Sequence, residues 1–160
     1  MWALMSAAMM APTAFPAFAT YDDLGHTTQT RIGALIAGYL ASWGGFSVLA
    51  GLAQGALFQA GLIGMFGQCQ YPSLTGALLI GAGLYQFSAL KEACLSRCRA
   101  PLTFFMQHWD EGPWRNGLRL GLDCLGCCWA LMLLAFVGGT MNLAFMGLAM
   151  VIMALEKLPE

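Results

Sequence analysis

The chain has 160 residues, of which 59% are hydrophobic and only 9% charged, with a formal net charge of −1. Soluble domains are about 45–50% apolar and about 25% charged, so a soluble globular enzyme is excluded for want of charges to coat its surface. Seven Lys+Arg against eight Asp+Glu leave no basic patch for nucleic acid, and the abundance of apolar residues excludes disorder.

No charge occurs from Met1 to Tyr21, from Ile32 to Leu90, or from Cys124 to Leu155. A helix needs about 20 mainly apolar residues to cross the hydrocarbon core of a bilayer. Short alternating segments of the kind a barrel needs are missing. The expected fold is therefore all-α: one integral membrane domain over 1–160, a polytopic transmembrane helix bundle of about five spanning segments. The first covers residues 1–20, with Pro12 and Pro16 expected to break or kink its second half. It has no Lys or Arg ahead of it and so lacks the basic start of a signal peptide. A short loop holds Asp22, Asp23, His26 and Arg31. The second segment covers 32–53, where Gly51 and Gly55 form a small-xxx-small pair suited to close packing. Residues 54–71 read as a helix extension and an interfacial loop.

Pro72 opens the third segment, 72–90. A polar loop, 91–116, carries Lys91, Arg97, Arg99 and Arg115 against Glu92, Asp110 and Glu111. The fourth segment covers 117–137, with Gly117 and Gly121 as a second small pair. Gly138, Gly139 and Asn142 make a turn into the fifth, 141–155, which ends at Glu156 and Lys157. Basic loops stay cytoplasmic. With five crossings the 91–116 loop, the Asp22–Arg31 loop and the Lys157 tail share the cytoplasmic side, and the chain starts outside.

Five of the six cysteines fall in two tight groups, a pattern that favours ligation or redox chemistry over disulfide stapling. Cys94 and Cys98 stand at i, i+4 and share one helix face if the third segment runs past Leu90. Arg97 and Arg99 beside them favour thiolates. Cys124, Cys127 and Cys128 stand at i, i+3 and i+4 and converge on one face, Cys127 and Cys128 diverging by about 100°. Thiolates suit soft metals: Cu(I), and also zinc and iron–sulfur clusters. The third and fourth segments run antiparallel across one loop, so the two groups lie at the same membrane face. A dithiol–disulfide relay would use the same residues, and tight packing of small apolar side chains is the plain alternative. Met1, Met5 and Met9, with Met10, form a thioether stripe, as do Met146, Met150 and Met153. Such stripes offer soft ligands or simple packing. His26 and His108 are the only histidines and read as solvated loop residues. Asp123 and Glu156 are ionisable groups at the edges of apolar segments, and Tyr85 and Gln86 are polar groups placed to bond between helices. Motifs for nucleotide binding, serine hydrolysis, zinc proteolysis and covalent haem are missing.

The stretches MWALMSAAMMAPTA (Met1–Ala14), GYLASWGGFS (Gly38–Ser47), GLYQFSALKEACLSRCRAP (Gly83–Pro101), CLGCCWALM (Cys124–Met132) and GGTMN…EK (Gly138–Lys157) carry a resemblance along essentially the whole chain. It resembles the predicted metal-binding integral membrane proteins, a bacterial family long filed as a domain of unknown function and linked to copper delivery to a polyphenol oxidase. The resemblance implies a multi-pass protein of the bacterial inner membrane that handles a metal. It maps the candidate metal residues to Cys94, Cys98, Cys124, Cys127 and Cys128, with Met9 and Met10. Relatives often carry another hydrophobic segment upstream, so this chain is expected to be a short or truncated member. Relatives also tend to have a histidine and an aromatic just before the C-x-x-C-C block, where this chain has Leu120 and Asp123.

The expected function is non-enzymatic: binding of a soft metal, Cu(I) ahead of zinc or no metal, and its delivery to a client cuproenzyme. The expected partners are membrane lipid, the metal ion and a client enzyme or membrane complex, with no nucleic acid. Two alternatives remain, a membrane thiol–disulfide oxidoreductase working with a quinone and a non-catalytic accessory subunit of a membrane complex.

Overall fold

A computed structural model describes residues 1–25, 31–140 and 142–158. Among them there are helices, turns and one isolated bridge, Ile63 to Cys69, but no β-strand. The fold is the all-α bundle expected. His26 and Met141 lie outside the described residues.

Helix α1 is continuous over Trp2–Gly25 and passes through Pro12 and Pro16 without a break. Each proline removes only its own N–H, and neighbouring helices tolerate the freed carbonyls in apolar surroundings. Asp22 and Asp23 thus belong to the last turn of α1. Helix α2, Ile32–Gln59, absorbs the expected extension, and a compact turn follows at residues 60–71. That turn is pinned to the chain around residues 136–140: the Cys69 N–H donates to the Phe136 carbonyl at 2.8 Å and the Thr140 N–H to that of Phe66 at 3.2 Å.

Pro72 does open α3, Pro72–Gln86. The apolar run then breaks at Phe87 and Ser88, and α4, Ala89–Arg99, leaves at 60°. Ser88 causes the new start, since its Oγ accepts the Leu90 N–H as an N-cap at 3.2 Å. The stretch read as a polar loop is mostly helical: α4, then α5 (Pro101–His108) and a 3-10 turn at Trp109–Glu111. Pro101 and Pro113 each occupy a first turn, where a missing N–H costs nothing. Helix α6 spans Pro113–Leu133, α7 is the short Ala135–Gly138, and α8 is Leu143–Glu156.

Three stretches are long and apolar enough to cross a membrane: α1, α2 and Pro113–Gly138. The bent α3–α4 pair makes a fourth if it crosses as one. Helix α8 has 14 residues, about 21 Å at 1.5 Å per residue, and falls short of the ~30 Å hydrocarbon core. Of the five apolar segments in the sequence, the last is thus a short helix packed on the others.

Helix α6 is the hub, with its largest interface on α2 and further ones on α4 and α3. Gly117 and Gly121 make the α2 contact possible. A Cβ at Gly117 would strike the Leu35 backbone, and one at Gly121 would come 2.7 Å from the Ser42 side chain. The Gly51 and Gly55 pair faces open space instead. Helix α1 runs antiparallel to α6: Trp2 packs on Phe136 at 5.4 Å between ring centroids, while Met10, eight residues on, reaches Cys128, eight residues back.

Candidate metal centre

The three cysteines of α6 all face inward. Their sulfur atoms lie within 4.8 Å of one another. The thiols of Cys127 and Cys128 both donate to the Cys124 carbonyl, at 3.0 and 2.8 Å, which turns each side chain back along the helix and gathers the sulfurs. This local bonding overcomes the expected divergence of Cys127 and Cys128. Met10 joins from α1, its Sδ 3.7 Å from the Cys124 Sγ and 3.8 Å from that of Cys128. Cys124, Cys127, Cys128 and Met10 are each no more than 3% exposed.

Four further groups surround the sulfurs. Cys98 reaches in from α4 beside Cys124 and Cys127. The Tyr39 hydroxyl, from α2, is 3.3 Å from the Cys124 sulfur. The half-buried Lys157, just past α8, donates from Nζ to that sulfur at 2.9 Å and to the Thr13 hydroxyl at 3.1 Å. Burial by itself lowers the pKa of Lys157, but the sulfurs of Cys124, Cys127 and Cys128 more than reverse this and raise it above the usual lysine range. A cation is therefore held against the thiols.

The other residues singled out in the sequence take different places. Cys94 packs over Gly126, where a Cβ would come 2.6 Å from its sulfur, and so stands behind the cluster as the knob that sets α4 against α6. Met9 points away from the thiols and lines a groove between α1 and α8. Of the two arginines expected beside the thiols, Arg97 stays within electrostatic reach of Cys94 and Cys98 while paired with Asp123, and Arg99 is turned to the end of α8. The Arg97 Nη1 pairs with Asp123 at 3.0 Å, and the Arg99 Nε donates to the Glu156 carbonyl at 2.8 Å. His108 ends α5 with its Nδ1 at 2.9 Å from the Phe104 carbonyl, away from the cluster.

Tyr85 and Gln86 do bond between helices. The Tyr85 hydroxyl donates to the Gly126 carbonyl, and the Gln86 amide donates to Glu156 at 2.7 Å. Glu156 also pairs with the buried Lys91 at 2.8 Å, and Lys91 bonds Gln86. This network ties the bend between α3 and α4 to the end of α8, and so fixes Lys157 one residue further on.

Two groups at the site, Tyr39 and Lys157, were not singled out as site residues in the sequence. The signal for Lys157 was a lone cation one residue past the end of a long apolar run. The signal for Tyr39 was a phenol inside an otherwise uncharged segment, where a polar tip needs a partner.

Among the described residues, neither a histidine nor a carboxylate belongs to the sulfur cluster, and Leu120 is an ordinary buried side chain. Thiols with a thioether are soft donors that select soft metals. A bundle of apolar helices around a buried sulfur cluster defines a helical protein that holds such a metal. The chain belongs to the PpoB2 copper chaperone family, whose model matches residues 1–160. No curated protein and no solved structure matches it.

Proposed function

We propose that the chain is a non-enzymatic, membrane-embedded chaperone of the bacterial inner membrane that holds Cu(I) as cargo and delivers it to a client cuproenzyme. The observation that carries this reading is the cluster of three thiols within 4.8 Å of one another, with the Met10 thioether against two of them. Cu(I) accepts low coordination numbers and soft ligands, and a sulfur-only pocket disfavours the harder ions that prefer oxygen. Two of Cys124, Cys127 and Cys128 serve as thiolate donors at a time, the third staying a thiol, and Met10 is a weaker, neutral one. Cys98, on a separate helix, is the thiolate that can exchange with them when the metal leaves. Cys94 and Met9 stand outside this set.

Charge balance explains Lys157. Cu(I) with two thiolates carries a net negative charge, and an uncompensated charge is costly in apolar surroundings. The Lys157 ammonium, 2.9 Å from the Cys124 sulfur, neutralises it. Loading then leaves the centre close to neutral, which favours retention in the bundle, and on release the departing positive charge is balanced by protons returning to the thiolates.

The test is metal analysis of reduced, detergent-purified protein beside the Cys124→Ser/Cys128→Ser variant. Bound copper that disappears in the variant supports the reading. A native protein that takes up no Cu(I) under reducing conditions overturns it, and a thiol count by alkylation with and without reductant then tests the redox alternative.

A further inference from the structure

Beside the thiol centre lies a second concentration of sulfur. A groove of about 510 Å³ opens between α1 and α8, and half of its ten lining residues are methionine: Met1, Met5, Met9, Met146 and Met150. The chain has only eleven methionines in all, so nearly half of them converge on this one surface. The other lining groups are apolar except for Thr140. Met5 and Met9 stand at i, i+4 on α1, and Met146 and Met150 at i, i+4 on α8. Each pair therefore presents its side chains along one helix face, and the two faces oppose each other. Met5, Met9 and Met146 also wall a narrow void of about 10 Å³ behind the groove, closed on the far side by Met132 of α6.

The groove leads toward the thiol centre. Helix α1 places Met1 near the Phe136 end of α6 and Met10 against Cys124 and Cys128, roughly 13 Å further along the axis. Met9, the innermost α1 residue of the groove, is the direct neighbour of Met10. Helix α8 runs alongside in the same direction, from Leu143 at the groove to Lys157 at the Cys124 sulfur. Packing alone does not explain the composition, because leucine fills the same volume and forms helices equally well.

We propose that this groove is a second, weaker Cu(I) site, formed by Met5, Met9, Met146 and Met150, that takes up the ion and passes it to the thiol centre. The proposal rests on the copper reading of that centre and assigns its direction of loading. Thioethers are neutral and bind Cu(I) without releasing a proton, so they suit capture and exchange in apolar surroundings. At the thiol centre the ion trades thioethers for thiolates. Each thiol that becomes a ligand loses one proton, and copper stays in the +1 state throughout, so no electron moves.

The experiment titrates the reduced, detergent-purified full chain with Ag(I), a redox-inert stand-in for Cu(I), and resolves the classes of site. The native chain is expected to show a tight class and a weaker one. In Met5→Leu/Met146→Leu/Met150→Leu the weaker class is lost and the tight class remains. Met146→Leu alone, which conserves volume, weakens that class without removing it. In Cys124→Ser/Cys128→Ser the tight class is lost and the weaker one remains. A native chain with the tight class alone, or a triple variant that keeps the weaker class, overturns the groove while leaving the thiol reading intact. A native chain with only the weaker, methionine-dependent class overturns the thiol reading and leaves the groove standing.

Discussion

Replacing Lys157 with methionine separates a role in metal binding from a role in folding. Lys157 Nζ is 2.9 Å from the Cys124 sulfur and 3.1 Å from the Thr13 hydroxyl. The ammonium sits in this position in the metal-free protein, so its desolvation is common to both states and drops out of the affinity. What remains is its attraction to the negative charge that two thiolates and one Cu(I) create. A hydrogen bond to a charged group is worth about 1.5–3 kcal/mol. For a half-buried ammonium a value of about 2 kcal/mol is expected, which weakens Cu(I) binding about thirtyfold. The sulfurs hold the ammonium favourably in the metal-free fold as well, so the metal-free Lys157→Met protein should melt modestly lower, and its affinity is read well below that melting point. Lys157→Arg keeps the cation and should retain most of the affinity. The assay is competition for Cu(I) against a chelator of known affinity in detergent, under reducing conditions. A Lys157→Met variant with native Cu(I) affinity but a lowered melting temperature would refute the counter-ion argument.

Two other substitutions probe the supports of the centre. A methyl group at Gly126 would lie 2.6 Å from the Cys94 sulfur, so Gly126→Ala should cost about 1–3 kcal/mol of stability and weaken Cu(I) binding by moving Cys98 off the cluster. Cys94→Ala added to it should restore both, as read by thermal melting and the same competition assay. Lys91→Met breaks the pair with Glu156, whose side chain is 24% exposed while that of Lys91 is 4% exposed. With one partner part-solvated the loss should be about 2 kcal/mol, below the full cost of stranding a buried charge, or a melting point lower by roughly 4–8 °C for a chain of this size. Lys91→Met/Glu156→Gln should recover most of it, and failure to recover would show that Lys91 acts through packing alone.

Periodicity and charge made the helices legible because an apolar, uncharged tract leaves the backbone no other way to satisfy its N–H and C=O groups. The same local logic exposed the Cys124, Cys127 and Cys128 face and the pairing of Pro72 with a helix start. Pro12 and Pro16 do not break α1, since the penalty is one missing bond each and packing on α2 and α8 outweighs it. Local logic reads residues 91–116 as a loop because charge implies solvent, whereas Lys91, Arg97, Arg99 and Asp123 are spent on pairs between helices.

The sequence by itself determined the class of the chain: far fewer charges than an ordinary soluble domain, enough apolar length for a helical bundle, and thiols spaced to share a helix face. Those are properties of composition and of the helical repeat, and both are local. Only the tertiary structure decided which sulfurs meet. Met10 is 114 residues from Cys124, and it arrives because α1 runs antiparallel to α6 at the register that sets Trp2 on Phe136. Met9, one position away, is turned by about 100° into the groove with α8 instead. The cation was decided in the same manner. Arg97 and Arg99 are nearest to thiols in sequence, but Arg97 pairs with Asp123 near Cys94 and Cys98 and Arg99 turns to the end of α8, while Lys157, held by the Lys91–Glu156 network, supplies the positive charge at the Cys124 sulfur.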